Sequence, residues 1–184
     1  MSIEDALSDE VLRRVRAGEA DLAVTVVRTP PRGLDTQPLA TDEFCAVFPR
    51  EHRFAAEKTF AWEQLRTEPF IAFDPASSIR AQVDAALHGS GRVVQARDIA
   101  AVAGLVAAGL GVSAVPGLVL SLIEFAGLAH RPLTGPQVRR KIAVVRDLRR
   151  PVAAGDAGLR AIDAAACAGM PLPGTRAGRG RRNR

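Results

Sequence analysis

Apolar positions recur along the chain at two spacings, and the change from one to the other marks out the elements. Leu7, Val11, Leu12 and Val15 repeat every three or four residues, which gathers them on one side of a helix, and Gly18 stands where that helix would end. Residues 22–27 form a continuous, β-rich apolar run, the pattern of a strand covered on both faces in a parallel sheet. Pro30, Pro31 and Gly33 break it, after which residues 36–39 and 43–48 predict two further extended segments, the second ended by Pro49. Residues 60–65 read as a short helix and 70–73 as a strand. Ser77 and Ser78 then cap a helix that carries Ile79, Val83, Ala86 and Leu87 on one face. Val93 and Val94 predict a short strand. Asp98 caps a helix over residues 99–108 that is apolar all round, so it is expected to be buried, and Gly109 closes it. Residues 112–115 predict a strand ended by Pro116, 118–125 a packed helix, 128–133 and 140–146 extended segments, and Pro151 opens a last helix to about Ala168. Strands separated by helices predict an α/β architecture with a mostly parallel sheet.

Composition narrows the class. With 184 residues, 47% of them hydrophobic, the chain makes one globular domain or two small lobes. Burial of roughly two thirds of its unfolded surface makes disulfides and structural metals unnecessary. Cys45 and Cys167 sit far apart in apolar surroundings and predict reduced thiols. No apolar run approaches the roughly 20 residues of a membrane span. The first residues are acidic and helical, not basic and then apolar, so the expected location is the cytoplasm. The 25 Lys and Arg exceed the 20 Asp and Glu, and Arg176, Arg179, Arg181, Arg182 and Arg184 account for the excess. The body is therefore neutral, and residues 169–184 read as a disordered basic tail whose contact with nucleic acid would be nonspecific.

Candidate chemistry is sparse. No nucleophile stands beside a base in any motif, and His52, His88 and His130 predict solvated or packing roles. Gly89 with Gly91, and Gly109 with Gly111, are too short for dinucleotide fingerprints, and the cysteine and histidine spacing suits no zinc site. One segment stands out, residues 70–80. There a strand delivers Ser77 and Ser78 to a helix N-terminus, where free amide hydrogens and the helix dipole favour a carboxylate, with Arg80 one turn on. The same residues also allow a plainer arrangement, in which a serine caps its own helix and Arg80 pairs with Asp84 on the solvent side.

Four segments taken together carry a resemblance. They are Arg16-Ala17-Gly18-Glu19-Ala20-Asp21-Leu22-Ala23-Val24; the stretch from Leu39 through Phe44-Cys45-Ala46-Val47-Phe48-Pro49 to His52; Ala108-Gly109-Leu110-Gly111-Val112-Ser113-Ala114-Val115-Pro116; and Gly127-Leu128-Ala129-His130-Arg131-Pro132-Leu133. In order and spacing over residues 10 to about 168 the chain resembles the effector-binding domain of LysR-type transcriptional regulators. It departs at Arg53-Phe54, where the family usually has proline and leucine. The resemblance implies the two-lobed fold shared with type 2 periplasmic binding proteins. Lobe one would be residues 1–45 plus 131–168, and lobe two residues 46–130. A small, carboxylated effector would sit between them.

By the same resemblance Thr25 and Val26 are the lobe-one contact and Ser77, Ser78 and Arg80 the lobe-two contact. Phe73 forms an apolar wall, and the loop at Arg97 and Asp98 either closes the far side or caps its helix. A homo-oligomer is implied, without catalysis, cofactor, metal or membrane. The other reading of the same fold is the solute-binding protein of a transporter. The family's helix-turn-helix and first lobe-one elements would precede Met1, so no specific DNA binding is expected of this chain alone. Residues 22–27 are then expected to form an exposed apolar edge, prone to pairing or aggregation.

Overall fold

The computed structural model of the chain describes residues 3–88 and 93–150. Helix α1 (Ser8–Ala17) has Asp9 and Glu10 in its first turn and Arg14 and Arg16 in its last, the polarity that suits the helix dipole. Gly18, at φ 74°, closes it by donating to carbonyls of the last turn. Strand β1 (Leu22–Val26) follows, then β2 (Asp35–Phe48), a short 3-10 turn (Arg53–Ala56), β3 (Phe60–Ala61), α2 (Trp62–Leu65) and β4 (Phe70–Phe73). The second half contains α3 (Ser78–Leu87), β5 (Val93–Ala96), α4 (Ile99–Ala107), β6 (Ser113–Pro116), a 3-10 helix (Gly117–Ala126), β7 (Ala129–Thr134) and β8 (Arg139–Arg146).

Strand β2 organises the molecule. From Asp35 to Glu43 it pairs antiparallel with β8, which also pairs with β1; from Phe44 onward it pairs instead with β6 and β7. One long strand thus passes from one group of strands to the other, changing partners between Glu43 and Phe44. Two separate extended segments were expected here. They are a single strand with a register shift between Pro38 and Ala40, where proline has no N–H to give to the ladder.

The sheet is also mostly antiparallel where a parallel one was expected. Among the described residues only β3 with β7, β4 with β5 and a bridge from Phe70 to Val112 run parallel. The error came from reading residues 22–27 as covered on both faces. Strand β1 is an edge among the described residues, with Ala23 and Thr25 buried and Val24 53% exposed. The doubly covered strand is the second half of β2. Phe44, Ala46 and Phe48 enter a core with Phe54, Phe60, Trp62 and Phe70, while Cys45 and Val47 enter a second core with Ile71, Phe73, Val102 and Val106 on the opposite face.

Helix α4 buries only Val102, Ala103 and Val106 among its fully covered residues. Its outer side is alanine and Gly104, so apolar composition overstated its burial. Residues 117–126 wind as 3-10, not α, helix, and residues 60–65 divide into β3 and α2. Gly111 permits the close approach of β6 to β4: a β-carbon there would lie 2.3 Å from the Pro69 carbonyl oxygen, which accepts the Val112 N–H at 2.9 Å. The expected helix from Pro151 to Ala168 and the basic tail lie outside the described residues.

Just beyond β8, the buried Asp147 carboxylate accepts from Arg149 Nε (2.9 Å), Nη2 (2.7 Å) and backbone N–H (3.0 Å), which hold its pKa down to about 2. A carboxyl lowered by folding contributes stability above its ordinary value of 3.8, and that contribution is lost as pH falls through about 2. The Asp147→Asn variant is expected to melt below the parent at neutral pH and to converge with it near pH 2, as followed by circular dichroism.

Candidate functional site

The β4–α3 loop is built as the local sequence dictates. Asp74 N–H donates to the Ala96 carbonyl (3.0 Å), its Oδ1 accepts the Ala76 N–H (2.9 Å), and its carbonyl accepts the Ser77 N–H (2.9 Å). Ser77 is the N-cap, its Oγ accepting from the Ile79 N–H at 3.2 Å. Of the two amides expected to be free, that of Ser77 therefore closes the turn. Its hydroxyl is likewise engaged in the cap. Ser78, half-buried, opens α3.

Arg80 folds back over this loop. Its Nε lies 2.8 Å from both carboxylate oxygens of Asp84 and its Nη1 donates to the Phe73 carbonyl at 3.2 Å, with the side chain largely covered. The plainer pairing with Asp84 is thus present, but Arg80 is no solvent-side ornament, since it braces the end of β4. Phe73 is buried in the second core, and its carbonyl is held by Arg80. Phe73, Ser77, Ser78 and Arg80 are therefore brought together. Thr25 and Val26 are not joined to them by any hydrogen bond or ion pair among the described residues. Thr25 is buried on the same face of β1 as Ala23, and Val26 is opposite Ile142 on β8. Asp98 Oδ1 accepts the Ala101 N–H at 2.8 Å, so the helix-cap reading holds there.

A polar pair that the sequence did not single out sits where β2 changes partners. Asp42 on β2 and Arg140 on β8 are directly opposite in register, and both are buried. Asp42 Oδ1 accepts the Leu118 N–H (3.1 Å) at the start of the 3-10 helix, while its Oδ2 lies 3.6 Å from Arg140 Nη1. Burial raises the Asp42 pKa and lowers that of Arg140. No local motif could have signalled this pair, since it depends on the register of strands a hundred residues apart.

The remaining candidate groups are inert or peripheral. His52 Nδ1 accepts from the Phe54 N–H and caps the short 3-10 turn. A cavity of about 170 Å³ between β2, the 3-10 helix and β7 is lined by Val47, Leu120, Ile123, Leu128, Arg50 and His130, among others, and by none of the expected ligand residues. Burial lowers the His130 pKa there. Burial also pushes the Cys45 thiol up to about 11, with Asp42 and Glu43 adding to the shift, so its reactive thiolate is scarce at neutral pH. Iodoacetamide at pH 7.5 is expected to leave Cys45 unmodified in the folded chain and to alkylate it in denaturant, read by peptide mass mapping. No group of acidic, histidine and cysteine residues among the described ones could hold a metal ion.

Comparison with known proteins decides what this scaffold is. The LysR substrate binding domain profile matches residues 1–172. The chain belongs to that family. This LysR domain is 29% identical over 154 residues to the HTH-type transcriptional regulator YfeR of Shigella flexneri, covering 80% of this chain and 49% of YfeR. It spans about half the length of the curated relatives it matches. Among solved structures, the CcmR regulatory domain of Synechocystis PCC6803 superposes with a TM-score of 0.75 at 19% identity, covering 87% of this chain and 80% of that one. The effector-binding domain of QuiR gives 0.72 at 16% identity, covering 86% and 77%. The two-lobed, periplasmic-binding-protein-like fold expected from the sequence is thereby established. The LysR domain's relatives are transcriptional regulators, and regulators of this family bind small-molecule effectors and act as oligomers. Among the described residues no helix is long and apolar enough to cross a membrane.

Proposed function

We propose that this LysR domain senses a small carboxylated metabolite held between its two lobes, without catalysis of its own. DNA reading would then belong to the part of the relatives' length that this chain does not match. The observation that carries the reading is the β4–α3 loop. A strand end, a helix N-terminus and a largely covered arginine converge there, with Arg80 Nε on Asp84 and Nη1 on the Phe73 carbonyl. A helix N-terminus beside a guanidinium is a natural receptor for a carboxylate. The CcmR structure contains 2-PG and the QuiR structure shikimate, a small carboxylic acid, which supports the same ligand class here. On this reading Ser78 and Arg80 are the polar contacts, Phe73 the wall beneath them, and Thr25 and Val26 the rim contributed from across the cleft.

We place the lobe boundary on β2 near residue 45, where pairing passes from β8 to β6 and β7. The return crossing falls near residue 131, within β7. Closure around a ligand would shift a population between two lobe arrangements, and the regulator's effect on transcription would follow that shift. Thermal-shift screening against small carboxylic acids tests the reading. A ligand at 100 times its Kd raises the unfolding free energy by about 2.7 kcal/mol. Arg80→Ala is expected to abolish the shift while keeping the fold; an undiminished shift in that variant removes Arg80 from the site.

A further inference from the structure

We propose that the cavity between β2, the Gly117–Ala126 helix and β7 is a second small-molecule site, one that takes a neutral ring of benzene size bearing a single hydroxyl. It shares no lining residue with the β4–α3 loop. Its floor is apolar and fixed, for Val47, Leu120 and Ile123 are buried members of the second core and Leu128 packs against that core. His130 is directly opposite Val47 in the β2–β7 register. Residues opposite each other on neighbouring strands share a face of the sheet, so the imidazole and the floor line the cavity together. Two hydrogen bonds fix the rim: Arg50 Nε donates to the Gly127 carbonyl at 2.7 Å, and the Gly127 N–H donates to the Glu124 carbonyl at 3.1 Å.

Size limits the occupant. The volume of about 170 Å³ is close to the roughly 150 Å³ of an apolar cavity that accepts benzene, and well below the roughly 300 Å³ at which sites for larger ligands begin. Charge limits it further. The rim carries one cation, Arg50, and one anion, Glu124, which favour neither sign of ligand. Burial holds the His130 imidazole below its ordinary pKa, with the Arg131 charge adding to the effect, and the same burial penalises a charged ligand. A neutral imidazole has one nitrogen that donates and one that accepts. A hydroxyl can meet either of them, whereas a plain hydrocarbon meets neither.

The test is a phenol titration of the isotopically labelled full chain, followed by amide chemical shifts. Saturable shifts are expected to centre on the amides of Val47, Ile123, Leu128 and His130. Toluene has nearly the same shape without the hydroxyl and is expected to bind about tenfold more weakly, the scale of one hydrogen bond. Benzoate, the same ring with a charge, is expected to leave these amides unmoved. His130→Phe keeps an aromatic ring and removes both nitrogens, so phenol and toluene should then bind equally. The proposal is overturned by shifts that do not saturate at these amides, by benzoate shifting them, or by a preference for phenol that survives in His130→Phe. Equal affinity for phenol and toluene in the parent chain overturns it too, and that comparison decides alone if the variant does not fold. Carboxylate binding at Arg80 is read separately by the thermal-shift screen, so either reading can fail without the other.

Discussion

Asp42→Ala is expected to lower the unfolding free energy by about 3–5 kcal/mol, the scale on which removing one member of a buried ion pair acts. The loss comes from what is left behind. Arg140 is buried, its Nε already lacks a hydrogen-bond partner among the described residues, and the carboxylate facing it would be gone. The Leu118 N–H would lose its acceptor as well. Replacing both members with apolar residues of similar volume is expected to be far milder, because no orphaned charge remains. Urea unfolding followed through the single tryptophan, Trp62, separates the two outcomes. A mild single variant together with a severe double one would mean that the pair matters through packing alone.

What was legible in the sequence was local chemistry. The end of α1 at Gly18, the caps at Ser77 and Asp98 and the strand Phe70–Phe73 follow from the preferences of residues within a turn of each other, and each is found where the pattern put it. The family was legible too, because its short motifs keep their order along the chain. Pairing was not. Residues 22–27 and 44–48 are both unbroken apolar runs, yet only the second lies between two cores. An edge strand's outward Val24 looks the same in sequence as a buried valine. The candidate site divided along the same line. Arg80 and Ser77 were found as residues, but the Ser77 N–H bond to Asp74 and the Arg80 contact with the Phe73 carbonyl depend on how the loop closes. The opposition of Asp42 and Arg140 depends on strand register and has no local signal at all.

Trp62→Ala is expected to cost about 3–5 kcal/mol, the range for emptying a buried indole site. Trp62 is 1% exposed and packs its ring against Phe44 at 5.5 Å, edge to face, within the core that also holds Phe48, Phe60 and Phe70. Its Nε1 donates to the Pro136 carbonyl at 2.9 Å. Pro136 lies between β7 and β8, so the indole both fills the core of the larger group of strands and pins the segment that joins those two strands. Trp62→Phe separates these roles. It keeps most of the apolar volume and leaves the carbonyl unpaired, with an expected loss of about 1–3 kcal/mol. Hydrogen exchange in the Phe variant should quicken first in residues 135–141 and spare the Phe70–Phe73 strand. Uniform quickening would show instead that the indole only fills space, and that the β7–β8 segment is held by β8 alone.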